Sequence, residues 1–291
     1  MLKLWLDQIA GPVLKPATMW LLERLVALWF LVMGLVYLPV KEIFWGSESL
    51  FAVAKVGQGI ISNLFYVLSY NRWLDDYVFV TFVLSALWVL SGRWTTVAKA
   101  LLYFTGFLLY YAAFYAFNSG LLTSLLLMFF LIFSSPASKR SSLQVLTNLA
   151  MMACMLQIVH IYAVAAANKW VGEDWLNGSA VYYAIQMEHY SPEWVRSFFV
   201  PKTLLLKILT WGGLIYQTVF PVLIWFKKVK KPLLIIGVLF HLGIGIMLSI
   251  YDFAFAMIFA YTVFLDESWS RLIISKLPRW WAPRSVIRSD A

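Results

Sequence analysis

Val159–Ala180, with the sequence VHIYAVAAANKWVGEDWLNGSA, joins an apolar run to a polar segment at Lys169. The apolar run begins near Val145 and is long enough for a helix that crosses a hydrocarbon core of about 30 Å. The segment after Lys169 is punctuated by glycines and a tryptophan. A lysine at the end of a bilayer helix is either an interface anchor or a working group, and the remaining sequence has to distinguish the two.

The composition indicates an integral membrane protein. Apolar residues make up 62% of the 291 residues and charged residues only 13%, whereas a soluble domain carries about 25% charged residues. Apolar runs recur along the whole chain, and the first one is too long for a cleaved signal peptide. We therefore predict an all-α, polytopic transmembrane helical bundle of about eight spans, forming a single transmembrane domain over 1–291.

Eight apolar runs account for the predicted spans. The fourth and eighth are short, so they are predicted to be tilted, partial or interfacial. The runs are Ala17–Val40, Tyr77–Leu90, Val97–Phe117, Leu121–Phe133, Val145–Ala167, Thr203–Phe226, Leu233–Leu248 and Phe253–Phe264.

The distribution of charge predicts the topology. With the N-terminus inside, most lysines and arginines fall on the inner side, and most acidic residues fall on the outer side. This asymmetry follows the positive-inside rule and predicts that both termini are cytoplasmic, in a multi-pass protein of the cell membrane. The net charge of +9 is attributed to this rule, and no nucleic-acid partner is predicted. Arg24, at the start of the first span, is predicted to be a topology anchor.

Three segments are predicted to lie at the membrane surface. The outer segment 41–76 is predicted to contain an interfacial helix around 50–68. The outer segment 169–202 is rich in tryptophan and tyrosine, which favour the level of the lipid headgroups. The basic tail 266–291 is predicted to lie on the anionic lipids of the cytoplasmic leaflet.

Lys169, a candidate catalytic residue, opens the motif K-x-x-G-x-x-W-x-x-G-x-A, which also contains the candidate binding residues Gly172, Trp175 and Gly178. Glycines at this spacing allow sharp turns or close approach of another element. A buried ammonium group is costly to keep charged, so a lysine in such a place can act as a base near neutral pH. The alternative is that the side chain snorkels to the interface.

His241 and His160 are further candidate catalytic residues. His241 lies in the middle of the seventh span, where an ionisable residue is a functional hypothesis by default, and Asp252, a candidate binding residue, follows near the outer turn. His160 lies nine residues before Lys169, which puts it on the opposite helix face, and interhelical hydrogen bonding is the alternative role for both histidines. Arg72, at the outer mouth of the second span, is a candidate binding residue.

No motif in the sequence supports a metal site or an internal disulfide. No metal site is predicted, because the sequence has no H-E-x-x-H, H-x-x-H or Cys/His cluster. The single cysteine, Cys154, lies in an apolar run, and a chain with one cysteine cannot form an internal disulfide.

The lysine motif resembles the transmembrane domain shared by vitamin K-dependent γ-carboxylases and their bacterial relatives, the HTTM family. The Phe240-His241 step, the F-x-x-x-M-I pattern at 253–258, the Phe264-Leu265 pair and the early Arg24 are similar too. The resemblance covers about 15–265. The family also includes SdpB-like proteins, which belong to a maturation system for a sporulation-delaying toxin.

This resemblance implies a reduced, vitamin K-like quinone as cofactor and Lys169 as the base that deprotonates it. The chain departs from the carboxylases in two respects. It has one lysine, preceded by Asn168, where they have two adjacent lysines, and it ends in a short basic tail where they continue into a substrate-binding domain.

Three functions remain open from the sequence. The favoured one is a carboxylase-like membrane enzyme, or enzyme subunit, that acts on a quinol or a peptide, with Lys169 and His241 facing one outward-opening cavity. The second is a non-catalytic SdpB-like accessory protein for peptide maturation, export or immunity, which depends on a soluble partner subunit. The third is a transporter, although the sequence lacks the paired interrupted spans of an inverted repeat.

Overall fold

The computed structural model describes residues 9–45, 72–113, 116–278 and 281, and only the backbone of 72–75. The regular secondary structure in these ranges is entirely helical, which confirms the predicted all-α class for the described residues. The helices are α1 Pro16–Tyr37, α2 Lys41–Trp45, α3 Arg72–Ser91, α4 Thr95–Ala112, α5 Ser119–Ile132, α6 Ser141–Trp170, α7 Glu173–Leu176, α8 Ala180–Gln186, α9 Glu193–Phe199, α10 Thr203–Leu223, α11 Lys227–Leu248, α12 Tyr251–Ala260 and α13 Glu267–Ser275.

Each of the eight apolar runs coincides with a helix. Among the described residues, four helical segments are long and apolar enough to cross a membrane, and α3, α5 and α12 contribute shorter apolar helices. The long segments are Pro16–Trp45, Ser141–Trp170, Thr203–Leu223 and Lys227–Leu248. The described fold is therefore compatible with an integral membrane protein, while eight complete crossings and cytoplasmic termini stay predictions.

The chain divides into two compact units. The first contains 1–154 and 265–291, and the second contains 155–264. The division falls inside α6. The prediction of a single domain over 1–291 stays a prediction.

The first unit is built on α1, which packs against α3, α5 and α13. Proline at its first position fits the start of a helix, because proline lacks the backbone N–H that would have no helical acceptor. The Glu267 carboxylate accepts hydrogen bonds from the next two amides, Ala17 N at 2.9 Å and Thr18 N at 3.1 Å. A side chain 250 residues away in sequence thus caps this helix, with an anion at its positive end.

The second unit packs α10, α11 and α12 together, with the short helices α7, α8 and α9 against α10. The chain that follows α6 is therefore folded into short helices that pack on α10. The 3-10 turn Tyr261–Phe264 follows α12 directly and is buried throughout. This turn brings Tyr261 to the tyrosines of α6 and α10, as described below.

Two of the predicted surface segments are described only in part. The predicted interfacial helix at 50–68 lies outside the described residues. In the tail, α13 buries Ser270 and Ile274 and leaves Trp269 and Leu272 exposed. Residues 279, 280 and 282–291 are not described, and the contact of the tail with lipid stays a prediction.

Candidate functional site

Lys169 lies in the last turn of α6 and is half-buried. Its ammonium nitrogen is 4.5 Å from the centroid of the Trp175 ring, a cation–π distance. The negative end of the helix dipole also favours a cation here. Within the described ranges Lys169 makes no ion pair, so its positive charge is held by a ring and a helix end rather than by a carboxylate.

The glycines of the motif shape the chain after Lys169. The amide of Gly172 donates to the carbonyl of Lys169 at 3.1 Å, and Gly172 is the N-cap residue of α7. Gly178 has a φ of +86°, a left-handed conformation that side chains with a Cβ rarely adopt. A Cβ at Gly178 would also lie 3.1 Å from the Trp211 ring. This glycine therefore allows the segment to turn tightly against α10.

Hydrogen bonds fasten the motif to α10. The indole of Trp211 donates to the carbonyl of Leu176 at 3.1 Å, and the indole of Trp170 donates to the hydroxyl of Thr218 at 2.9 Å. The amide of Val181 donates to the hydroxyl of Thr210 at 3.1 Å. These contacts hold the residues around Lys169 in a fixed arrangement.

A cavity of about 520 Å³ lies beside this motif. Its size is within the usual range for small-molecule sites. Its walls combine aromatic, acidic and amide groups, and include Asn168, Gly172, Glu173, Asp174, Trp175, Tyr183 and Met187. Lys169 is not in the wall itself, but its ammonium group lies over Trp175, which is.

His241 occupies a different part of the second unit. Its side chain is 1% exposed, and its Nε2 atom is 2.6 Å from the hydroxyl of Tyr162. That hydroxyl also bonds the hydroxyl of Tyr261, which bonds the hydroxyl of Tyr216 at 2.9 Å. Tyr216 in turn donates to the carbonyl of Leu233 at 3.4 Å. The four side chains form one buried hydrogen-bonded chain.

The structure does not bring Lys169 and His241 together at the cavity. His241 is absent from the cavity wall, and its hydrogen-bond partner is Tyr162. Tyr162 and Lys169 are nevertheless seven residues apart on α6, so they share a helix face at a spacing of about 10 Å. Lys169 and His241 therefore do not share this cavity, although Tyr162, the hydrogen-bond partner of His241, lies on the same face of α6 as Lys169.

The remaining predicted residues lie apart from these groups. His160 is exposed, on the side of α6 away from Lys169, as the nine-residue spacing of these two residues predicts for an unbroken helix. Asp252 is half-buried in the first turn of α12. Arg72 is the first residue of α3, and its side chain lies outside the described residues.

The first unit contains a buried ionic cluster that the sequence analysis missed. The ammonium of Lys99 donates to the Glu23 carboxylate and to the carbonyl of Ser134, both at 2.6 Å. Arg24 bonds the other Glu23 oxygen at 3.3 Å and lies over the Trp20 ring. All three ionisable residues are at most 3% exposed. Arg24, expected to anchor the topology at the interface, is thus an interior residue.

Comparison with known proteins gives no match: no family model, no curated protein and no solved structure aligns with the chain. The resemblance to the HTTM family therefore rests on the sequence motifs alone.

Proposed function

We propose that the protein is a multi-pass enzyme, or enzyme subunit, of the cell membrane that binds a quinol-like ligand beside Lys169. The observation that carries the proposal is the cavity of about 520 Å³ next to the Lys169–Trp175 pair. Its aromatic wall suits a flat ring, and its acidic and amide groups suit the hydroxyls of a reduced quinone. The proposal places this cavity on the outer side of a bundle of eight crossings.

Lys169 is the base in this proposal. Deprotonation of a lysine that is paired with a carboxylate would break an ion pair. Deprotonation of Lys169 breaks only its cation–π contact with Trp175, which is worth about 0.5–2 kcal/mol. The neutral amine would then take a proton from a ligand hydroxyl, leaving the ligand anion and the ammonium ion. The charge of that ammonium ion is favoured by the end of α6.

The test is ligand binding to the purified protein in nanodiscs, with menaquinol as the probe and tryptophan fluorescence as the readout. We expect Lys169→Met and Trp175→Ala each to weaken binding by about tenfold, a loss typical of one well-placed polar or aromatic contact. Lys202→Met is the matched control, because Lys202 also lies over a ring, that of Phe198, but is exposed and outside the cavity wall. Equal effects of the two lysine variants would contradict the proposal.

A second function is favoured by the acidic side of the same cavity. Glu173 and Asp174 are exposed in its wall, and their negative charge suits a cationic peptide. The protein would then be an SdpB-like accessory protein that binds such a peptide together with a soluble partner subunit. In the same nanodiscs, a lysine-rich peptide would then bind and Glu173→Gln/Asp174→Asn would abolish its binding. Glu188→Gln, an exposed site outside the cavity wall, is the control.

A further inference from the structure

Tyr216, Tyr261, Tyr162 and His241 form a continuous buried chain of hydrogen bonds, which helix packing alone does not require. Its members come from α10, the turn after α12, α6 and α11. Phe220 stacks on Tyr162 with ring centroids 4.2 Å apart, which shields the chain on one side. Continuous hydrogen bonds between hydroxyls and an imidazole, excluded from water, are the arrangement in which protons can pass along a chain of groups.

The hydroxyl protons allow two orderings along this chain, because each tyrosine has one proton to donate. In the first, Tyr216 donates to Tyr261, Tyr261 to Tyr162, and Tyr162 to Nε2 of His241, whose own proton is on Nδ1. In the second, every bond is reversed: Nε2 donates to Tyr162, and Tyr216 donates to the carbonyl of Leu233. Both orderings carry the same number of protons and no net charge.

One atom of the chain is left without a partner. Nδ1 of His241 is buried and has no hydrogen bond to any described residue. The rings of Phe240 and Phe253 lie beside the imidazole, with centroids 5.2 and 5.5 Å away, and offer no acceptor. An unsatisfied buried nitrogen at the end of a satisfied chain points to a ligand atom or water as its missing partner.

We propose that these four residues form a proton relay whose end is Nδ1 of His241, and that this atom exchanges a proton with an oxygen atom of a bound ligand. Conversion from the first ordering to the second releases one proton from Nδ1 to the ligand oxygen. Each proton along the chain moves one place toward His241, and Tyr216, at 6% exposed the most accessible of the four residues, takes up one proton from water. Return of a proton to Nδ1 and the reverse transfers restore the first ordering, and Tyr216 then releases one proton to water.

The relay goes beyond the function proposed for Lys169 and does not require it. The test is therefore made without substrate, by ¹⁵N NMR of histidine-labelled protein in nanodiscs. The chain has three histidines, so the His241 signals are assigned from His160→Gln and His189→Gln variants. The relay predicts that both imidazole tautomers of His241 are populated in the unaltered protein.

Distant tyrosines should then control the tautomer at His241. Tyr216→Phe removes the acceptor for Tyr261 in the second ordering, and leaving a buried donor unsatisfied is costly. We expect the Nδ1–H tautomer to gain about tenfold over the other, and Tyr261→Phe to act in the same direction. Tyr77→Phe, at an exposed tyrosine of α3 in the first unit, should change nothing.

Two results would overturn the relay. One is a single tautomer of His241 that neither Tyr216→Phe nor Tyr261→Phe changes. The other is a response to Tyr162→Phe alone, because a simple pairwise hydrogen bond would depend only on its direct partner. Either result would leave the proposal for Lys169 standing, since no ligand takes part in the measurement.

Discussion

Gly237 has no side chain at a point where two tyrosine hydroxyls approach α11. A Cβ at this position would collide with the hydroxyls of Tyr216 and Tyr261. Gly243 lies in the same helix and has open space where its Cβ would stand. The two glycines therefore allow the effect of crowding to be separated from the effect of helix propensity.

We expect Gly237→Ala to destabilise the protein by about 1–3 kcal/mol, because the added methyl group must displace the buried hydroxyls. Gly243→Ala should be neutral or stabilising by up to about 1 kcal/mol, since alanine has a higher helix propensity than glycine. Thermal unfolding in detergent, followed by circular dichroism, gives both values. A stabilising Gly237→Ala would show that the tyrosines do not occupy this space.

The tyrosine chain also shows the limit of prediction at the residue scale. His241 and Lys169 could be singled out from the sequence because ionisable groups are rare in apolar runs. Tyr216 and Tyr261 could not, because tyrosine is common in this chain and usually lies at the headgroup level. Tyr261 is 99 residues from Tyr162 and 45 from Tyr216, and only tertiary packing brings the three hydroxyls together.

At the scale of elements, the ionic cluster of Glu23 and Lys99 links α1 and α4 through side chains 76 residues apart. With Arg24 it contains two basic groups and one carboxylate, all buried. The carboxylate is therefore the group on which both cations depend.

Glu23→Gln should destabilise the protein by about 3 kcal/mol or more, because it leaves two buried cations without an anion. Lys99→Met should cost less, because Glu23 and Arg24 remain as a neutral pair. Adding Lys99→Met to Glu23→Gln should recover part of the lost stability, which a double-mutant cycle of unfolding free energies measures. Equal and additive costs would contradict this description of the cluster.

The elements themselves were largely predictable, because their signal is a run of apolar residues. The run Val145–Ala167 identifies α6, yet the helix extends over Ser141–Trp170. The polar residues at both ends of α6 continue the helical backbone hydrogen bonds, and a hydropathy profile does not detect these bonds. The short helices α7, α8 and α9 were missed for a related reason, since they depend on packing against α10 rather than on their own apolar content.

At the scale of the whole molecule, the topology is predicted from the charge of the connecting segments. Cys154 is buried and is the only cysteine of the chain, so new cysteines at exposed positions can be labelled selectively. We expect a membrane-impermeant maleimide to label Glu188→Cys and not Lys139→Cys in right-side-out vesicles, because only the former lies in a predicted outer segment. The opposite pattern would invert the topology.

The central claim is that Lys169 is a working group in a ligand site on the outer side, not an interface anchor. Its most direct test is competitive labelling of lysines in right-side-out vesicles with an impermeant amine reagent, read by mass spectrometry near neutral pH. We predict that menaquinol protects Lys169 from the reagent and leaves the labelling of Lys202 unchanged, because only Lys169 lies beside the cavity. Equal labelling of Lys169 with and without menaquinol would contradict the claim.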